Sequence, residues 1–275
     1  MKPVMADKGV LVTGAGTGLG REIALEFARQ GANVVFHYSH SAQGAESATE
    51  EARSLGGRAE AFQADLGELK DVARLGDEAQ RFLGRVDVLV NNAGITYNKP
   101  FQKVEPAQYQ KIYDVNVRAG FFLAQYFVPG MVAAGGGAIC NITSIHGLQG
   151  ASEHAVYAGT KGAIIAYTRS LAVELAHKGV RVNAIAPGCF PVENYAKAIP
   201  GYSEEGVRKA AAAAIPAGRY GLPIEVARLA VFLCSDAASF IIGQTITIDG
   251  GTTALMSLAT DFRGESPARF GERYL

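Results

Sequence analysis

Four glycines stand at every second position, Gly14, Gly16, Gly18 and Gly20, in TGAGTGLGR (Thr13–Arg21). The apolar run VLVT (10–13) leads straight into them, and behind them Leu19, Ile23 and Phe27 return at helical spacing until Gly31. Glycine permits backbone angles closed to other residues and lets the main chain approach a ligand closely. A helix that starts just past such a turn presents unpaired N–H groups and a partial positive charge, which suits a pyrophosphate. Strand, glycine turn and helix in this order read as a dinucleotide cradle, with Gly14, Thr17, Gly18, Leu19 and Gly20 facing the phosphates. The bland alternative is an ordinary turn, and the rest of the chain decides against it.

That remainder alternates short apolar runs with longer helical patterns. The strand candidates are VLVT (10–13), NVVFHY (33–38), RAEAFQ (58–63), VDVLVN (86–91), GAICNIT (137–143), RVNAIA (181–186) and QTITID (244–249). They are nearly continuous in apolar character, as parallel strands covered on both faces are. Helical patterns run roughly over 42–55, 68–83, 106–134, 152–177, 204–214 and 223–235. The alternation predicts an α/β fold built on a doubly wound parallel sheet. No linker or repeat interrupts it. Residues 1–251 are therefore expected to form one dinucleotide-binding catalytic domain, with a substrate loop at about 189–218 and a C-terminal tail over 252–275.

Composition narrows the function. Lys plus Arg and Asp plus Glu both number 26, so the chain lacks the basic field of a nucleic-acid or membrane-surface binder. Hydrophobic residues make up 48%, enough for a large core, yet no apolar run is long enough to span a membrane. The N-terminus has no signal core before Asp7 and Lys8. The three cysteines, Cys140, Cys189 and Cys234, show neither disulfide nor zinc spacing, so no metal is expected and a reducing cytoplasm is the default.

In YAGTK, Tyr157 and Lys161 are four residues apart and share a helix face. A free tyrosine has a pKa near ~10, and a neighbouring ammonium favours its phenolate, which suits a general acid/base. Ser144 closes the strand GAICNIT, at the carboxyl end where open α/β sheets bind ligands. Tyr-x-x-x-Lys alone is more often a surface pair; the serine and the glycine loop reverse that reading.

TGAGTGLG (13–20), NNAG (91–94), Asn116 in DVNV, Ser144, YAGTK (157–161), APG (186–188) and GQTITIDGG (243–251) together resemble the short-chain dehydrogenase/reductase family over nearly the whole length. The resemblance implies a single Rossmann-type domain with seven parallel strands and helices on both faces, a nicotinamide cofactor and a homotetramer. It implies a tetrad of Asn116, Ser144, Tyr157 and Lys161. Tyr157 would exchange the substrate proton and Ser144 orient the substrate oxygen. Lys161 would also bond the nicotinamide ribose, and Asn116 would hold a water leading to solvent. Asn92, Ala93 and Gly94 would line the adenosine side, Asp65 and Leu66 the adenine, and Pro187 and Gly188 the nicotinamide. One position departs: the family usually has a threonine four residues past that glycine, and here Val192 follows Pro191.

An acid about 20 residues past the glycine loop would grip the ribose of NAD. From Phe36 to Gln43 there is none, and Ser39, His40 and Ser41 offer hydroxyls and a donor suited to an anion. NADP(H) is the favoured cofactor; the alternative is that these residues cap the next helix and NAD(H) binds through backbone. Tyr97, His146, Glu153, His154, Glu193, Asn194 and Tyr195 are the substrate candidates. They are polar, which points to a small hydroxy or keto compound such as a sugar, sugar acid or polyol. Two rivals stand beside this. One is a 3-oxoacyl-thioester reductase. The other is a cofactor-binding sensor or scaffold without catalysis, against which the complete tetrad argues. The tail interleaves Phe262, Phe270 and Tyr274 with Arg263, Arg269 and Arg273, a pattern expected to pack on a neighbouring subunit and close a site there, the alternative being a disordered, solvated tail.

Overall fold

The computed structural model describes residues 4–192 and 201–256. Seven strands form one parallel sheet: β1 (Gly9–Val12), β2 (Asn33–Tyr38), β3 (Ala59–Gln63), β4 (Val88–Asn91), β5 (Gly137–Ile142), β6 (Val180–Pro187) and β7 (Thr245–Ile248). Their order is β3-β2-β1-β4-β5-β6-β7, with every neighbouring pair parallel. Between the strands run α1 (Gly18–Arg29), α2 (Ala42–Ser54), α3 (Leu69–Leu83), α4 (Pro106–Tyr113), α5 (Ala119–Ala133), α6 (Ala155–Leu175), α7 (Glu204–Ala214) and α8 (Pro223–Cys234).

The continuous apolar strands are explained by two cores, one on each face. Val10 and Val12 of β1, with Val34 and Phe36 of β2, pack against Ile23 and Phe27 of α1 and Val226 and Val231 of α8. The intervening Leu11 and Val35 turn to the other face, against Leu75 of α3 and Leu123 and Phe127 of α5. Side chains alternate across a strand, so each strand must be apolar at every position to fill both layers.

The chain reverses its direction of winding at β1, which lies between β2 and β4. The crevice outside the carboxyl ends of β1 and β4 is where a doubly wound sheet takes a ligand. The helix expected over 106–134 is broken there. After α4 one π-helical turn, Asp114–Arg118, intervenes before α5, and Pro129 lies inside α5. The apolar spacing runs through the break, which is why the pattern alone joined the two helices. Likewise α6 begins at Ala155, preceded by a loop in which Glu153 adopts φ 64. Most of the tail, from residue 257, and residues 193–200 lie outside the described residues, so the expectations placed on Glu193, Asn194, Tyr195 and the tail aromatics concern positions not described.

Candidate active site

The glycine loop is held from three sides. The Thr13 hydroxyl accepts from the backbone N–H groups of Asn92 and Ala93, both at 3.0 Å, while the Asn92 amide donates to the carbonyls of Thr13 (2.9 Å) and Gly14 (3.2 Å). His37 supplies the third contact: its Nδ1 accepts from the Gly14 N–H at 3.0 Å and its Nε2 lies 3.1 Å from the Ala64 carbonyl. Gly14 itself sits at φ 65, a left-handed angle that excludes most side chains. At Gly20 closeness rather than angle demands glycine, since a Cβ there would lie 2.1 Å from the Gly14 carbonyl oxygen. Thr17 precedes α1 without a side-chain cap, and no acid occupies the first turn, so the N–H groups at this helix end remain available to an anion. These residues fit a dinucleotide phosphate.

The tetrad positions converge. Lys161 on α6 is 4% exposed, its Nζ donates to the Ile142 carbonyl at 3.0 Å, and burial brings its pKa down to about 8. The Thr143 hydroxyl ties the same turn of α6 to the end of β5 by donating to the Lys161 carbonyl at 2.7 Å. The Lys161 Nζ stands 5.6 Å from the Tyr157 ring centre. Ser144 is buried and its hydroxyl accepts from the His146 N–H at 3.2 Å. Asn116 sits in the π-helical turn. Its Oδ1 accepts from the Ile95 N–H (2.7 Å), and its Nδ2 donates to the Ile95 carbonyl (3.1 Å) and the Thr160 hydroxyl (3.2 Å). A π-turn widens the helix by one residue and is often found at functional sites. Here it delivers Asn116 to the mouth of β4. Gly94 lies between the two polar heads, so a Cβ on it would be 3.4 Å from both the Asn116 Oδ1 and the Lys161 Nζ.

Burial dominates the electrostatics of the pair. The Tyr157 pKa is raised, chiefly by partial burial, although hydrogen bonding to the Thr96 and Ser144 hydroxyls pulls the other way. Burial thus acts on both groups, raising the hydroxyl and bringing the neighbouring ammonium down. Thr96 escaped the sequence reading: it follows NNAGI in the loop after β4 and carries no motif signal of its own.

On the adenosine side, Ser41 stands at the N-cap of α2 without a side-chain cap bond, its Oγ 2.0 Å from where a Cβ on Gly16 would be. Ser39 and the exposed His40 precede it in the same loop. Asp65 is not a free carboxylate. It accepts from the Gly67 N–H at 2.8 Å and from Lys111 on α4 at 3.1 Å, and these bonds hold its pKa below the ordinary range. Lys111 therefore ties α4 to the loop after β3, a contact that no motif announces. Leu66 is buried in the core against α3 and α5, so its side chain packs there and its backbone is the part that faces the end of the sheet. Gly188 follows β6, its N–H donating to the Ile248 carbonyl at 2.9 Å. Val192 packs on Gly18, its Cγ1 3.1 Å from where a Cβ there would be.

The substrate candidates separate into two groups. His146 and His154 are brought to Tyr157, their rings stacked at 4.6 Å and 27°, and the His146 ring meets Tyr157 edge-on at 5.6 Å. The His154 Nδ1 donates to the Ser152 carbonyl at 2.7 Å, whereas the buried His146 Nδ1 has no partner. Burial and the neighbouring imidazole lower the His146 pKa. Tyr97, by contrast, gives its hydroxyl to the Gln108 side chain on α4 at 2.8 Å, and Glu153 engages Asn98 at 3.5 Å. Among the described residues no group of three or more His, Cys, Asp or Glu side chains is arranged to hold a metal, and no helix is long and apolar enough to cross a membrane.

Known proteins resemble this chain over most of its length. The family model described as enoyl-(acyl carrier protein) reductase matches residues 14–253. A hydroxynaphthalene reductase-like protein of Metarhizium robertsii is 37% identical over 257 residues, 90% of this chain and 96% of that one. Among solved structures, a 7α-hydroxysteroid dehydrogenase complexed with NADH and 7-oxo glycochenodeoxycholic acid is 36% identical with a TM-score of 0.85, covering 91% of this chain and 96% of that one. A chain described as a candidate NAD(P)-dependent gluconate 5-dehydrogenase from Beutenbergia cavernae, with NADP bound at low occupancy, is 39% identical with a TM-score of 0.84. That match covers 92% of this chain and all of that one.

Proposed function

This chain belongs to the short-chain dehydrogenase/reductase family and is an oxidoreductase acting on hydroxy or keto groups with a nicotinamide cofactor; on that premise we propose that it uses NADP(H) on a small polar compound with further hydroxyls beside the reacting carbon. A sugar, sugar acid or polyol fits this description. The observation that carries the reading is the company of Tyr157: its hydroxyl bonds with the Ser144 and Thr96 hydroxyls, and its ring meets an imidazole whose Nδ1 has no partner.

The nicotinamide ring, when bound, supplies or accepts the hydride. Tyr157, protonated at neutral pH, gives its proton to the substrate oxygen in reduction and takes it back in oxidation. Ser144 holds that oxygen. Lys161 fixes the cofactor ribose, and Asn116 maintains the route by which the proton is exchanged with solvent. Asn92, Ala93, Gly94, Pro187 and Gly188 line the cofactor with backbone.

NADP(H) is supported by the absence of any acid from Phe36 to Gln43 and by Ser39, His40 and Ser41 ahead of the uncapped N-terminus of α2. Relatives bind either cofactor, NADH in one structure and NADP in another. Fluorescence titration tests the choice: NADPH should bind more tightly than NADH, and equal affinities would defeat it.

A flat hydroxylated ring is the second reading. The stacked imidazoles of His146 and His154 offer it a planar wall, and the relative from Metarhizium is a hydroxynaphthalene reductase-like protein. Rates for sugars, polyols, hydroxylated bicyclic ketones and 3-oxoacyl thioesters, each with both cofactors, separate the readings. A thioester as best substrate would overturn both. We further place the enzyme in the cytoplasm as a homotetramer, a reading supported by its three free cysteines and by Phe121, Phe122 and Tyr126, exposed on α5. Light scattering checks the assembly.

A further inference from the structure

We infer that His37 is a positioning residue for the dinucleotide that acts through its bond to the Gly14 N–H at the turn of the glycine loop, its bond to the Ala64 carbonyl fixing the ring's tautomer. The inference rests on the glycine loop being a nicotinamide-dinucleotide site, and not on NADP(H) over NAD(H) or on any substrate.

His37 is 1% exposed, near the end of β2, so no solvent can replace its partners. A carbonyl only accepts, so the Nε2 beside the Ala64 oxygen must carry the proton, and Nδ1 is left as the acceptor for the Gly14 N–H. The tautomer is thereby fixed by the backbone. The main chain repeats the connection: the His37 carbonyl accepts from the Ala15 N–H at 2.7 Å, and the Tyr38 carbonyl accepts from the Ala64 N–H at 3.0 Å.

One imidazole thus touches the phosphate loop at Gly14, continues by chain into Ser39–Ser41, and reaches Ala64, just past the end of β3 and one residue before Asp65. Gly14 is the hinge of the loop, with its left-handed φ and its carbonyl already taken by Asn92. Its N–H direction sets the orientation of the peptides that follow toward α1. Only a side chain with an acceptor at the δ position and a donor at the ε position spans from this loop to the Ala64 carbonyl. A shorter or singly polar residue leaves one buried backbone group unpaired, at the full desolvation cost of that group.

Two substitutions separate the bonds. His37→Asn keeps an acceptor where Nδ1 lies and cannot reach Ala64; His37→Gln keeps a donor where Nε2 lies and offers Gly14 nothing. Dissociation constants for NADPH and NADH are read by fluorescence titration, with the melting midpoint of each variant alongside. H37Q should weaken both cofactors by roughly tenfold or more, whereas H37N should stay within about threefold of the unchanged protein. That contrast should appear even if the two variants melt together, which a merely structural role would not produce. Should H37Q fail to fold, His37→Val, which suits a buried strand and makes neither bond, is read in its place with the same expectation. Unchanged affinity in H37Q, or equal weakening in H37N and H37Q, overturns the proposal. If the unchanged protein binds neither NADPH nor NADH, the reading of the site itself falls, and the two failures are told apart.

Discussion

Lys161 and Tyr157 divide one task between opposing demands. Proton exchange at Tyr157 needs a hydroxyl that can let go of its proton, yet partial burial raises the pKa of that hydroxyl and burial lowers that of the lysine beside it. Tyr157→Phe should cut turnover by at least about a hundredfold while cofactor binding persists. Steady-state rates and a fluorescence titration on one preparation check this, and a wild-type rate would refute the role. Lys161→Met should also lose turnover, but the cofactor-free variant should melt at a higher temperature, because a buried group that resists its charge is removed. A lower midpoint would show instead that the bond to the Ile142 carbonyl outweighs desolvation. Tyr157, Lys161 and Ser144 were legible as residues because helix spacing and a strand end announce them. His37 and Thr96 were not. The partners of His37 lie 23 and 27 residues away, a relation that no local pattern records.

At the scale of elements, the strands were legible and the helix break was not. Seven apolar runs gave seven strands, with ends shifted by a residue or two, since two-sided burial leaves an unbroken mark in the sequence. The π-helical turn at Asp114–Arg118 leaves none, because apolar residues continue to recur on either side of it. Its role is testable by removing one residue. Deleting Val115 should restore a regular helix, turn Asn116 away from Ile95 and Thr160, and abolish turnover with helix content preserved by circular dichroism. The glycine loop admits a similar test. Gly20→Ala drives a methyl group to within 2.1 Å of the Gly14 oxygen and 2.3 Å of the Asn92 Nδ2, so cofactor affinity should be lost and the melting midpoint lowered.

For the molecule as a whole, buried imidazole makes stability depend on pH. The His37 pKa is brought down to about 4 by burial, from 6.5 in the unfolded chain. Above 6.5 the ring is neutral in both states. As pH falls from 6.5 toward 4 the unfolded chain takes up a proton that the folded protein refuses, so stability declines through that window. The His37 share of the loss should reach roughly 2 kcal/mol at pH 5, read as a lower urea midpoint than at pH 7, and H37N should lose that share. His146, lowered in the same direction, adds to it. The strand order carries a consequence for biosynthesis. On the ribosome β1 can find β2 early, but its other edge waits for β4, whose pairing begins at Val88, and so an apolar edge stands open while some fifty residues more are made. A nascent chain halted before Val88 would expose that edge as a template for pairing with other chains, and slower, cooler synthesis with chaperones at hand should raise the yield of folded enzyme.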